Sequence, residues 1–265
     1  MKHVAKKRFG QNFLIDKYLI NKIIEIINPQ IGEDILEIGP GLGALTIPII
    51  EEVGKINVIE IDRDIITYLK KTIDCDKINI YQFDALKFDF SIFKHKFRLI
   101  GNLPYNISTP LLFHILKRID LVHDMHFMLQ KEVVARICAK PNTKDYGKLS
   151  IMLQLKLNCH SVIDVAPTSF DPRPKVDSAI IRMIPKDIND ILKVNETLLN
   201  QIVTSAFNQR RKTISNSLSL FLKSEDFQFL AIDCHKRAEN LTIFEYVNIT
   251  NYVESKYNVS REFAR

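Results

Sequence analysis

The segment Ile35-Leu36-Glu37-Ile38-Gly39-Pro40-Gly41-Leu42-Gly43 constrains this chain more than any other part of it. A short strand-like run passes through a glycine-rich turn into an apolar helical pattern. Glycine lets the backbone approach a ligand closely, and a helix N-terminus favours electron-rich groups, so the segment reads as the opening of a βαβ unit. Further strand-like runs fall at residues 55–61, 78–83, 97–101, 124–129, 149–157 and 176–184, after the first at 34–38. Helical patterns at 17–28, 65–73 and 109–118 separate most of the early ones. Such alternation predicts an α/β fold with a doubly wound, Rossmann-like sheet of mainly parallel strands. No helix is expected between the last two runs, which predicts an antiparallel hairpin at one sheet edge. Past residue 186 only helical patterns remain, at 196–208, 211–222 and 242–256. The chain is therefore expected to divide into an α/β domain over 1–186 and a small all-helical domain over 187–265.

Several function classes fall away on composition. The longest apolar stretches, such as 44–50, are far shorter than the roughly 20 residues of a membrane helix. The basic start is followed by Gly10-Gln11-Asn12 where a signal peptide needs an apolar core, so a cytoplasmic protein with no membrane partner is expected. Cys75, Cys138, Cys159 and Cys234 form no C-x-x-C pair, and the histidines form no H-E-x-x-H. Neither a disulfide framework nor a metal site is expected, and His123 and His126 read as structural or surface residues. The formal charge of +6 is concentrated in the N-terminal segment, which includes Lys6, Lys7 and Arg8, and in Arg210-Arg211-Lys212, which interrupts a helical pattern. Clusters of this kind suit a polyanion, because each neutralised phosphate releases counterions; the alternative is a solvated basic face.

The glycine segment also satisfies the dinucleotide fingerprint G-x-G-x-x-G/A through Gly39, Gly41 and Ala44. Three features favour S-adenosylmethionine instead. Glu37 sits on the strand before the loop, where a carboxylate can pair with an amino-acid ammonium. Glycine occupies every second position at Gly39, Gly41 and Gly43, as in methyltransferases. Asp84 follows the third strand run and can accept from an adenine amino group, with a helix N-cap as its alternative role. Glu60 ends the second run and can accept both ribose hydroxyls, which serves either cofactor.

The run 97–101 leads into Asn102-Leu103-Pro104-Tyr105-Asn106-Ile107-Ser108, at the carboxyl edge where doubly wound sheets bind ligands. An amide, a proline and an aromatic ring in this order suit an exocyclic aromatic amine. The Asn102 side-chain oxygen and a nearby backbone carbonyl can hold both N–H groups of an adenine N6, which favours a pyramidal nitrogen with its lone pair aimed at a methyl donor. Pro104 stiffens the turn, and Tyr105 can stack on the base. No strong general base is required, because a sulfonium is already an activated donor; alignment supplies most of the acceleration.

With these residues in view the chain resembles the rRNA adenine N6-dimethyltransferases, and among them the bacterial small-subunit type, over nearly its whole length. Besides the two motifs above, the resemblance rests on Lys7-Arg8-Phe9-Gly10-Gln11-Asn12-Phe13-Leu14 with Asp16, Leu129-Gln130-Lys131-Glu132-Val133 and Asp145-Tyr146-Gly147-Lys148-Leu149-Ser150. It extends through Phe170-Asp171-Pro172-Arg173-Pro174-Lys175-Val176-Asp177-Ser178, then Ala206-Phe207-Asn208-Gln209-Arg210-Arg211-Lys212-Thr213 and Asn216-Ser217-Leu218. It implies a class I methyltransferase sheet, with Asn12, Leu14, Gly39, Glu60, Asp84 and Asn102 as S-adenosylmethionine contacts. Asn102 would also belong to the catalytic Asn-Leu-Pro-Tyr motif, and Tyr105 with Phe170 would sandwich a flipped adenine. Without the family, Phe170 reads as a core aromatic. The implied substrate is a pair of adjacent adenosines in the 3′-terminal hairpin loop of 16S rRNA, within an assembling small subunit, and the protein is expected to act as a monomer. The N-terminal basic residues and Arg210–Lys212 would grip rRNA phosphates. Three other readings share parts of this pattern: a 23S rRNA adenine methyltransferase, a non-catalytic RNA-binding assembly factor, and an NAD-linked reductase.

Overall fold

Strands that are apolar on both faces need cover on both, and this drives the architecture. In the computed structural model, which describes residues 11–262, the N-terminal segment forms β1 (Phe13–Leu14) and α1 (Lys17–Ile27). Asp16 caps α1 by accepting from the Leu19 amide at 3.1 Å, and Leu19, Ile23 and Ile27 line its buried face at helical spacing. Next come β2 (Ile35–Ile38), buried at every position, α2 (Thr46–Val53), β3 (Ile56–Glu60), α3 (Arg63–Thr72) and β4 (Ile78–Gln82). The series continues with β5 (Phe97–Asn102), α4 (Ser108–Leu116) and β6 (Val122–Gln130). After α5 (Lys131–Cys138) and α6 (Lys148–Gln154) come β7 (Leu157–Val165), β8 (Phe170–Asp171) and β9 (Ser178–Pro185).

Seven strands form one sheet in the order β4-β3-β2-β5-β6-β9-β7. The pairs β3–β4, β2–β3, β2–β5 and β5–β6 are parallel, and β6–β9 is antiparallel. One core cluster joins α1, α2 and α3, through Ile23, Ile49 and Leu69, to Ile35, Val58 and Ile100 of the sheet. Where β2 and β5 lie side by side, a Cβ on Gly101 would stand 2.4 Å from the Ile38 carbonyl oxygen. Only glycine allows the two backbones to approach that closely.

The expected strand at 149–157 is instead α6. Apolar residues at 149, 151–153, 155 and 157 fit a buried helix as well as a strand, and such a run does not distinguish the two. Leu149, Ser150, Ile151, Met152 and Leu153 are all buried, and Gln154 Nε2 donates to the carbonyls of Ile137 and Ala139. The strand beside β9 at the sheet edge is the more polar β7. The division of the chain differs too. One compact unit holds the residues up to Val134 with Asn158–Pro185, and the other takes Ala135–Leu157 as well as the chain from Lys186 onward. Residues 135–157 thus leave the expected first domain, because α6 buries its apolar surface in the helical unit.

That unit contains α7 (Glu196–Asn208), α8 (Ile214–Ser217), α9 (Ser224–Phe229) and α10 (Ile243–Glu262). Asn195 caps α7, whose Leu199, Ile202, Val203 and Ala206 are buried. The helix expected over 211–222 shrinks to the short α8. Thr213 bridges to Arg237 and the Ile214 amide donates to the Lys236 carbonyl, so the backbone before α8 pairs outside any helix.

At the start of β5 lies a buried ionic network. Arg98 donates to Asp124 at 2.8 and 2.9 Å, to Glu33 at 2.8 Å and to the Ile27 carbonyl at 2.6 Å. Burial pushes the Asp124 carboxyl up, but the hydrogen bonds from Arg98 outweigh it and hold the group below the ordinary carboxylate range. His126 is buried beside this network with its pKa lowered to about 4 by burial, whereas His123 is exposed. Asp124→Ala should therefore cost about 3–5 kcal/mol in urea unfolding, because it removes the buried carboxylate that takes two of the Arg98 hydrogen bonds. A loss below about 1 kcal/mol would mean that Arg98 reaches water without rearranging the fold.

Candidate active site

The strand order reverses at β2 and β5: β3 and β4 lie to one side, and β6 follows on the other. A reversal of this kind opens a crevice at the carboxyl ends of the strands, since the loops leaving the two central strands diverge. Here those loops are the glycine turn after β2 and the Asn102–Tyr105 turn after β5. Between them lies a cavity of about 320 Å³.

Gly41 shows why the turn needs glycine. Its φ of +53° lies in the left-handed region, and a Cβ there would meet the Phe13 ring at 3.1 Å. Gly39 and Gly41 line the cavity, and the chain then enters α2. Glu37 lies on β2 beside Val58 and Ile100 of the flanking strands and is fully buried. Thr46 of α2 donates to its Oε2 at 2.6 Å. Burial raises the Glu37 pKa to about 7, with the nearby Glu60 adding to the effect and Thr46 opposing it. A buried carboxylate with one neutral donor is an unmet demand for a cation.

Glu60 closes β3, and its Oε1 accepts from the amides of Ile61 and Asp62, both at 2.8 Å. Those two bonds orient the carboxylate at the cavity wall. Asp84 follows β4, and one of its oxygens caps the next turn by accepting from Leu86 N at 3.0 Å. The cap and the cavity position are thus both real for this residue.

On the neighbouring strand, Asn102 closes β5. Its Nδ2 donates to the Asn12 carbonyl at 2.8 Å. A carbonyl can only accept, so the amide nitrogen must face Asn12 and Oδ1 is the end left for a ligand. In the following turn the Pro104 carbonyl takes the Ile107 amide, and the Tyr105 carbonyl takes Ser108 Oγ. The Leu103 carbonyl has no donor among the described residues, which leaves two acceptors at successive positions, Asn102 Oδ1 and Leu103 O. Tyr105 is half-buried, and its hydroxyl is 2.6 Å from Oγ of the fully buried Ser178. Burial pushes the Tyr105 phenol up, so it stays neutral.

The structure gathers Asn12, Leu14, Glu37, Gly39, Gly41, Glu60, Asp84, Asn102, Pro104 and Tyr105 around one cavity. Phe170 is the exception. It is 1% exposed, pairs with Leu14 across β1 and β8, and belongs to the apolar core, so its ring forms no wall of the cavity. In this position Phe170 seats the N-terminal segment through Leu14, the core role it also has when read without the family.

Arg210 is partly engaged inside the chain. It donates to Glu239 at 2.7 Å and to the Lys144 carbonyl, which makes it a brace within the helical unit. Arg211 and Lys212 are exposed, and the three follow the end of α7 rather than interrupting a helix. Lys6, Lys7 and Arg8 lie outside the described residues. Elsewhere in the helical unit, Asp233, Cys234 and His235 bring potential metal-donor atoms within 4.8 Å of one another. Asp233 also accepts from the His235 amide, as in an ordinary turn.

Sequence reasoning missed Thr46 and Ser178. Thr46 sits within an apolar helical pattern with no local mark of its tie to Glu37. Ser178 does close the quoted 170–178 motif, which was the available signal.

Among the described residues no helix is long and apolar enough to cross a membrane. Residues 2–255 match the family described as Ribosomal RNA adenine dimethylase. A Ribosomal RNA small subunit methyltransferase A from Thiobacillus denitrificans is 50% identical over 254 residues, covering 96% of this chain and all of that protein. A dimethyladenosine transferase from Plasmodium falciparum superposes with a TM-score of 0.80 at 26% identity, covering 92% of this chain and 98% of its own. The 23S rRNA methyltransferase ErmE superposes at 0.70 with 21% identity, over 92% of this chain and all of that one, and so speaks for the fold alone. A match along almost the whole chain, onto a cavity built from the expected residues, leads to one conclusion: the chain belongs to the ribosomal RNA adenine dimethylase family.

Proposed function

We propose that this protein transfers methyl groups from S-adenosylmethionine to N6 of two adjacent adenosines in the 3′-terminal loop of 16S rRNA. It acts as a cytoplasmic monomer on an assembling small subunit. The observation that carries this reading is the pair of acceptors at Asn102 Oδ1 and Leu103 O, in the lining of a cavity that also includes the buried Glu37 carboxyl. An NAD-linked reductase would have no use for either feature. The half-identical small-subunit relative favours 16S over 23S rRNA.

The residues present fit the cofactor. Glu37 takes the amino-acid ammonium, Glu60 the ribose hydroxyls and Asp84 the adenine amino group. Asn12, Leu14, Gly39 and Gly41 supply backbone and apolar walls. When bound, S-adenosylmethionine supplies a methyl already activated by its sulfonium. The chain's own work is alignment. Asn102 Oδ1 and Leu103 O accept the two N6–H groups of the adenine and hold the nitrogen pyramidal, while Pro104 stiffens the turn. Tyr105, tied to Ser178, offers its ring for stacking, a contact worth about 1–3 kcal/mol per base. Neither acceptor can take a proton, so the one displaced at N6 leaves to water. A base already in a loop costs less to extrude than one in a duplex.

Labelled S-adenosylmethionine with unmethylated small subunits should yield dimethyladenosine at two neighbouring positions, mapped by mass spectrometry. Modification of 23S rRNA alone would overturn the assignment. Asn102→Ala should lower kcat by at least about a hundredfold, with the fold intact by circular dichroism, given what oriented polar contacts contribute to such steps. Reversing Arg211 and Lys212 to Glu should weaken subunit binding and reduce its salt slope by about two; an unchanged slope would place the phosphate grip elsewhere. Glu37→Gln should separate binding from stability. Between pH 4.5 and about 7 the folded protein keeps a proton that the unfolded chain has released, so stability falls as pH rises across that window. Chemical denaturation should therefore show Glu37→Gln gaining roughly 3 kcal/mol on the wild type from pH 4.5 to 8, while its affinity for S-adenosylmethionine collapses.

A further inference from the structure

The Asn12 carbonyl that orients Asn102 lies between two anchors. Downstream, β1 pairs with β8, the Ile15 amide donates to the Ser169 carbonyl at 2.9 Å, and Ser169 Oγ donates to Asp16 at 3.0 Å. Upstream, Gln11 Nε2 donates to Asp62 Oδ2 at 3.0 Å. Asp62 is 2% exposed, and its other oxygen caps α3 through Asp64 N at 3.0 Å. Its own amide is one of the two that orient Glu60. Three hydrogen bonds, joined through the covalent chain at Asp62 and at Gln11–Asn12, therefore link the Glu60 carboxylate to the Asn102 amide.

We propose that Gln11 is a positioning residue: by pinning the strap 11–16 to the Asp62 turn, it holds the Asn12 carbonyl against Asn102 and keeps Oδ1 turned to the substrate nitrogen. This rests on the acceptor role given to Asn102 above. An asparagine amide presents a donor or an acceptor depending on a half-turn of its plane, and among the described residues it is the Asn12 carbonyl that selects between them. With the Gln11–Asp62 bond removed that carbonyl is held less firmly, and the amide spends more of its time presenting its donor to an N–H that needs an acceptor. Gln11 touches neither reacting atom in this scheme; it acts through Asn12.

Three variants test it. Gln11→Ala removes the donor, Gln11→Glu keeps the shape but sets a second carboxylate against Asp62, and Gln11→Lys restores a donor. For the first two, amide hydrogen exchange across residues 11–16 of the cofactor-free protein should quicken, and kcat should fall, both on the order of tenfold, the contribution of a hydrogen bond to a charged group. The KM for S-adenosylmethionine should change less than kcat. Gln11→Lys should recover most of both losses. Unchanged exchange in Gln11→Ala, wild-type kcat in Gln11→Glu, or no recovery in Gln11→Lys would overturn the proposal. The exchange measurement needs no substrate, so an inactive wild-type protein would sink the functional reading while exchange still judged the latch.

Discussion

The parallel pairing of β2 with β5 is the constraint on which the rest depends. Gly101 lets the two backbones come together at Ile38, and from that contact the chain departs in two directions. One exit is the glycine turn, the other the Asn102 turn. A donor held by the first and an acceptor held by the second can therefore meet without either loop having to reach. Rigid strands set the separation, and short turns carry the chemistry. This places most of the orientation cost in folding rather than in catalysis.

Two buried acids show how the same physics serves different ends. Asp124 is enclosed with the Arg98 guanidinium and sits below the ordinary carboxylate range. Glu37 is enclosed with a threonine hydroxyl and is pushed up to about 7. The first is complete within the chain and stabilises the amino-terminal end of the sheet. The second is complete only with a cation from outside, and it lies at the cavity. An acid whose partner is missing from the fold is a better marker of a binding site than burial alone.

The N-terminal segment shapes the cavity as much as the sheet does. It lends a ring to the glycine turn through Phe13, a carbonyl to Asn102 and an amide to Asp62. The burial of Phe170 follows from the same arrangement. Its position in β8 seats β1 and so supports the strap. The cavity's substrate end is then walled on one side by Tyr105, which Ser178 holds from β9.

Much of this was legible in the residues themselves. The strand-to-glycine turn, the acids closing successive strands and the Asn-Leu-Pro-Tyr turn are local patterns, and local backbone preference dictates them. Their shared position at one sheet edge follows from the βαβ alternation. What remained hidden depends on partners far apart in sequence. Periodicity could not separate helix from strand at 149–157, where burial on all sides erases the pattern, and the polar β7 carried too weak an alternation to be seen. Phe170 already reads as a core aromatic from its own residues, but nothing near Arg210 announces that it braces Glu239. Sequence by itself determined which chemical groups this protein has to work with and the turns that carry them. Only the tertiary structure decided which way each group faces, because direction is set by contacts such as Asn12 with Asn102 and Thr46 with Glu37 that exist only once the chain has closed on itself.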